Sequence, residues 1–145
     1  MQISIKIFED FSAPELYALL RLRAEIFIIE QECVYQDLDN YDQEAIHLCG
    51  YLTGELVAYT RLLKPGIKYQ GASLGRVATK SSARRRGYGK AIVKQAISTS
   101  KNTWPAFPIT ISAQEYLKDF YADLGFKKIS GPYLEDNMPH IKMTL

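Results

Sequence analysis

The sequence is poor in the residues that mark several common function classes. It has two cysteines in 145 residues, Cys33 and Cys49, and neither stands in a Cys-x-x-Cys pair or a Cys/His cluster. That excludes the usual zinc ligand sets and a disulfide framework; the simplest reading is two reduced thiols in a reducing compartment. No apolar run approaches the roughly 18 residues that a membrane span needs. The opening MQISIKIF lacks the basic and long apolar regions of a secretory signal, so the expected location is the cytoplasm. Charge of neither sign dominates: 18 Lys and Arg oppose 16 Asp and Glu, for a net +2. Nothing global therefore points to nucleic acid or a membrane surface as a partner. Internal repeats, linkers and low-complexity tracts are also missing.

What is present suits one cored domain over residues 1–145, with 47% hydrophobic and 23% charged residues. Ile3, Ile5 and Ile7 alternate with polar residues, a half-buried strand. Ser12 to Glu15 forms a capping box with Pro14 in the first turn, and apolar residues at helical spacing carry the helix to about Phe27. Glu30 to Glu44 is an acidic stretch with no basic residue, read as a loop or short second helix. His47–Leu52 and Leu56–Leu63 flank Thr53-Gly54-Glu55 as a hairpin. A strand over 73–79, a helix to about Thr99, a strand over 109–113, a helix over 115–124 closed by Gly125, and strands over 127–130 and 140–145 complete the chain. The expected fold is α/β (α+β mixed) around one mixed, mostly antiparallel sheet.

The sharpest chemical feature is Arg84-Arg85-Arg86-Gly87-Tyr88-Gly89, between a strand and the helix that Lys90 opens. A helix N-terminus presents unpaired N–H groups and about half a positive charge. Glycines let the backbone approach an anion, and arginines add charge-assisted donors. Together they make a pyrophosphate cradle. A solvated basic turn ending in a glycine hinge fits the same residues. The spacing matches neither a Walker loop nor the dinucleotide fingerprint. As a nucleic-acid patch it is small, with Tyr88 its one stacking aromatic.

Leu74-Gly-Arg-Val-Ala-Thr79 followed by Arg84 to Gly89 resembles motif A of the GNAT (general N-acetyltransferase) superfamily, and Phe120-Tyr-Ala-Asp-Leu-Gly-Phe126 resembles its motif B. Arg21 to Arg23, Phe27, Glu30-Gln31, Tyr35 to Asp39 and Pro139-His140-Ile141 are similar to the ElaA-like branch. The resemblance spans essentially the whole chain. It implies a six- to seven-stranded sheet splayed into a V, flanked by about four helices, with acyl-CoA in the cleft.

It also implies roles. The backbone of Val77, Ala78 and Thr79 would pair with the pantetheine arm as a strand does, an amide there polarising the acetyl carbonyl. Amides of Arg84 to Gly89 would hold the pyrophosphate. Tyr121 would protonate the leaving thiolate, though its helix position suits a core residue equally. Gln114 stands where many members have Asn. Base or acceptor-site candidates are Glu32 and Asp37 in the acidic stretch, which the fold would place on the acceptor side, and the two histidines, His47 and His140. The expected activity is acetyl transfer from acetyl-CoA to a small-molecule or peptide amine by direct attack. The rival is a non-catalytic acyl-CoA sensor or interaction module on the same fold. Acceptor identity, and whether the chain works alone or as a homodimer, stay open.

Overall fold

The computed structural model describes residues 1–145. Seven strands form one sheet in the order β1-β2-β3-β4-β5-β7-β6. They are β1 (Gln2–Ile7), β2 (Ile46–Leu52), β3 (Glu55–Leu63), β4 (Ala72–Thr79), β5 (Ile109–Gln114), β6 (Lys127–Glu135) and β7 (Met138–Thr144). Three α-helices flank it: α1 (Ala13–Arg23), α2 (Tyr88–Thr103) and α3 (Lys118–Ala122). About four helices were expected. The count falls because α1 runs straight into a π-helical segment, Ala24–Glu30, while the stretch that could have held another helix contains only the 3-10 turn Asp42–Glu44.

Ser12 caps α1 as its capping box requires: its side chain accepts from the Glu15 amide, 3.3 Å away, and Glu15 accepts from the Ser12 amide at 3.0 Å. The two faces of the sheet are covered separately. On one, Leu48, Leu62, Leu74, Ile111 and Ile141 pack against Ile92, Val93 and Ala96 of α2 and Tyr121 of α3. On the other, Tyr59 and Ala78 pack beneath Leu19, Leu22, Ile26 and Phe27. Helices on both faces bury both sides of the central strands, which is why β3 is buried from Val57 to Leu63.

Two irregularities open the sheet. The parallel pair β4–β5 is joined only at Ala72↔Ile109 and Ser73↔Thr110, after which the strands diverge. In the β3–β4 ladder, Tyr59 faces Ala78 while Arg61 faces Gly75, so β4 carries one extra residue. Arg76, in this bulge, has φ 56, and the local bend turns the end of β4 away from β5. The result is a V-shaped gap bounded by Leu74 to Thr79 on one side and Ile111 to Gln114 on the other.

Beneath α1 the acidic stretch folds onto three arginines. Arg23, wholly buried, donates from Nε to Asp37 Oδ2 at 3.0 Å and from Nη1 to Asp42 Oδ1 at 2.7 Å. Arg61 donates to Asp42 Oδ1 at 2.8 Å and to both carboxylate oxygens of Asp39. Arg76 donates from Nε to Asp37 Oδ1 at 2.7 Å and from Nη2 to Asp39 Oδ2 at 3.2 Å. Three cations meet three anions, so charges that are costly to bury singly are neutralised as a set. This network fastens the 31–45 loop to the β4 bulge.

Candidate active site

At one end of the gap stands the N-terminus of α2. Gly87 is its N-cap, with φ 82, and no side chain supplies a cap. A Cβ on Gly87 would meet no protein atom within 4 Å, so the space before the helix amides is open to a ligand. Arg85 also has a positive φ, 62, and turns of this kind point successive amides inward as an anion nest. Gly89 serves packing, since a Cβ there would lie 3.1 Å from Thr79 Oγ1. The three arginines do not act alike. Arg84 is tied down, its Nη1 2.5 Å from Glu30 Oε1 and its Nε donating to the Thr79 carbonyl at 3.0 Å. Arg86 lies over the Tyr88 ring, 5.1 Å from the centroid, and outside the cleft lining, which leaves Arg85 and Lys90 as the lining cations of this end without a carboxylate partner.

From this end a cleft of about 1010 Å³ runs through the gap. Val77 and Thr79 line it, while Ala78 turns its side chain into the core beneath α1. Gln114 donates from Nε2 to Gln31 Oε1 at 3.1 Å, and its own Oε1 is buried without a donor. Tyr121 lies on the cleft wall, 6% exposed, its ring edge-on to Phe120 and Phe126. Burial, reinforced by Tyr116, raises its hydroxyl pKa. A phenol so placed stays protonated at neutral pH and can donate.

The opposite end is polar. His140 donates from Nδ1 to the Met138 carbonyl at 2.7 Å, since a carbonyl can only accept. Its Nε2 therefore carries the lone pair when the ring is neutral, and it faces Glu135 Oε2 at 3.3 Å. With the ring neutral both atoms are acceptors, so a donor such as an ammonium group can hydrogen-bond to both. Ser112 donates to the same Glu135 oxygen at 3.2 Å and accepts from Tyr133, at 2.5 Å. Across the cleft mouth the Cys33 thiol donates to the Asp136 carbonyl at 3.4 Å, so the 31–36 loop and the β6–β7 turn meet over this end.

Residues 14–145 match the family model described as an acetyltransferase (GNAT) domain. The chain belongs to the GNAT acetyltransferase family. A UPF0039 protein of Synechocystis sp. is 40% identical over 137 residues, covering 94% of this chain and 89% of the relative. The structure of an acyl-CoA N-acyltransferase from Pseudomonas aeruginosa superposes with a TM-score of 0.93 at 38% identity, over 99% of this chain and 97% of that one. Escherichia coli ElaA superposes with a TM-score of 0.92 at 34% identity, over 99% and 97%. Within the GNAT family the chain is thus ElaA-like, and its fold is the expected one.

In this member of the GNAT family the base candidates separate. His140 lies in the cleft beside Glu135. His47 does not: it is fully buried, Nε2 donating to the Asp42 carbonyl at 2.8 Å and Nδ1 accepting from the Tyr59 hydroxyl at 2.6 Å. Both nitrogens are used, and burial lowers its pKa, so His47 is a neutral structural residue rather than a base. Asp37 is corrected likewise: 4% exposed, it spends its carboxylate on Arg23 and Arg76. Glu32 is exposed and outside the cleft lining. Within the acidic stretch Asp42, like Asp37, is buried. Sequence reasoning missed Gln31, Ser112, Tyr133 and Glu135. The only available signal for Glu135 was its place five residues before His140, in what reads as a polar turn.

Proposed function

We propose that the protein is an N-acetyltransferase that moves the acetyl group of acetyl-CoA to the amine of a small molecule or peptide. The observation that carries this is the sharing of one cleft by three features: the open Gly87 cradle at the α2 N-terminus, the Tyr121 hydroxyl and the His140–Glu135 pair. The residues present fit acetyl-CoA. The cradle suits its pyrophosphate, and the orphaned Gln114 Oε1 suits an amide N–H of its arm. Bound there, acetyl-CoA supplies an activated thioester.

The protein's part is proton management and positioning. An alkyl amine of pKa about 10.4 is neutral roughly once in a few thousand molecules at pH 7, so a group must take its proton. His140 Nε2 takes it, while Glu135 faces that nitrogen and holds the resulting positive charge. Tyr121 gives its hydroxyl proton to the departing sulfur.

The test is an amine panel incubated with acetyl-CoA, with thiol release and product mass as readouts. Tyr121→Phe keeps the ring and its packing, so kcat should fall roughly 10²–10⁴-fold with little change in coenzyme A affinity. A chain that binds acetyl-CoA yet acetylates nothing would be a sensor. A Tyr121→Phe variant with wild-type kcat would remove the tyrosine from the chemistry.

A further inference from the structure

Beside the acceptor end of the cleft lies a second recess of about 70 Å³, walled by β3, β4 and the 64–71 loop. Arg61, Lys68 and Arg76 line it, with Ser73 and Ser112, and Glu135 is its one carboxylate. The arginines Arg61 and Arg76 belong to the balanced network with Asp37, Asp39 and Asp42. Lys68 does not. It makes no ion pair, its nearest organised partner being the Tyr41 ring, 5.9 Å from Nζ. Glu135 is already engaged by Ser112 and His140. Once the arginines are matched to their aspartates, the recess keeps one cation, Lys68, and one carboxylate, Glu135, whose hydrogen-bond partners bring it no fixed charge. Lys68 keeps part of its surface in solvent; partial burial, then the neighbouring Arg61 and Arg76, hold its ammonium below the ordinary lysine pKa, against the opposing pull of Asp39 and Glu135.

The recess opens where the amine must sit. Lys68 and Glu135 line both it and the main cleft. We infer that the acceptor is zwitterionic, a free amino acid whose carboxylate docks on Lys68 in this recess while its amine lies against Glu135 and His140. This rests on the acetyltransferase reading and names its substrate class. The placement separates two opposite charges on one small molecule in the way the site separates its own. It also gives selectivity, because an amine without the carboxylate leaves the Lys68 charge unpaired. An amine carrying a phosphate would satisfy the same cation, so both anions enter the test.

The experiment compares acceptors that differ only in the anion: alanine with ethylamine, phenylalanine with phenethylamine, and phosphoethanolamine with ethanolamine. Wild-type kcat/KM should favour each amino acid over its decarboxylated partner. Lys68→Met should shrink that preference about 10- to 100-fold, the usual worth of a hydrogen bond to a charged group, and Lys68→Arg should restore part of it. Equal use of acids and amines, or a preference untouched by Lys68→Met, overturns the inference while leaving amine acetylation standing. A preference confined to phosphoethanolamine overturns the amino-acid assignment. Calorimetric binding of N-acetylalanine, a product mimic that needs no turnover, supplies the independent readout. Binding that weakens at least tenfold in Lys68→Met supports the recess even if no amine is acetylated, and binding that ignores the substitution refutes it.

Discussion

Asp37→Asn separates two uses of the acidic stretch: holding the fold together or drawing in a cationic acceptor. The side chain bridges Arg23, wholly buried, and Arg76 in the β4 bulge, at 3.0 and 2.7 Å. The amide keeps the shape but removes the charge, so a buried set of three cations and three anions becomes one cation in excess. Breaking a buried pair from one side costs about 3–5 kcal/mol. Asn still accepts one hydrogen bond and Arg23 keeps Asp42, so the low end, about 3 kcal/mol, is the expected loss. An unfolding entropy near 0.3 kcal/mol per kelvin for a chain of this length converts that to a Tm drop of roughly 10 °C. Glu32→Gln, on an exposed residue outside the cleft, should move Tm by less than about 2 °C. The assay is thermal unfolding of both variants at pH 7 by circular dichroism, with steady-state kinetics alongside. If Asp37→Asn leaves Tm within about 3 °C of wild type and raises only the amine KM, the carboxylate serves the acceptor and the structural account is wrong.

Two further predictions follow from other parts of the chain. Gly87→Ala puts a Cβ at φ 82, where it meets no protein atom but enters the space before the α2 amides; the apo protein should lose about 1–2 kcal/mol, and stabilisation by acetyl-CoA, about 2.7 kcal/mol at a hundredfold excess over Kd in the wild type, should largely disappear. A full ligand-induced Tm shift in that variant would exclude the loop as the phosphate site. On acidification, Asp39 matters: burial raises its pKa, but Arg61 and then Arg76 outweigh this and hold it at about 2, and Asp42 is lowered too by Arg23 and Arg61. Their folded pKa values lie below the unfolded ones, so their contribution is present above about pH 4 and is lost as pH falls toward 2. Urea midpoints should decline steeply across that interval, and a flat profile would contradict the network.

Local signals carried most of the architecture. The Ile3, Ile5, Ile7 alternation is β1, the Ser12–Glu15 box starts α1, and the glycines after Arg86 sit at the start of α2. What escaped has physical reasons. The π-helical segment keeps a helix-like apolar pattern through Ile26 and Phe27, so nothing marks where α1 changes pitch. Strand β6 was expected to end at Ser130 but reaches Glu135, because it is exposed over nearly its whole length and so has no alternation to read. That shortened strand hid Tyr133 and Glu135, and with them half of the acceptor end of the cleft. The helix expected over 115–124 is a 3-10 turn followed by the five residues of α3.

The acidic stretch shows most plainly why a charge run cannot be interpreted locally. Its partners lie 14 to 39 residues away, on α1, β3 and β4, and only the tertiary fold brings them together. A run of carboxylates suggests a field that captures cations. Once Asp37, Asp39 and Asp42 are matched to Arg23, Arg61 and Arg76, that field is spent inside the protein. Apart from these arginines, the recess beside the acceptor end is lined by a carboxylate on β6 and a lysine on the 64–71 loop, one charge of each sign. The inferred acceptor thus changes from a cation to a molecule bearing both charges. Salt gives a direct check: capture of a polycation by an acidic loop would weaken steeply with ionic strength, whereas a zwitterion with no net charge is steered little, and its KM should change little with added salt.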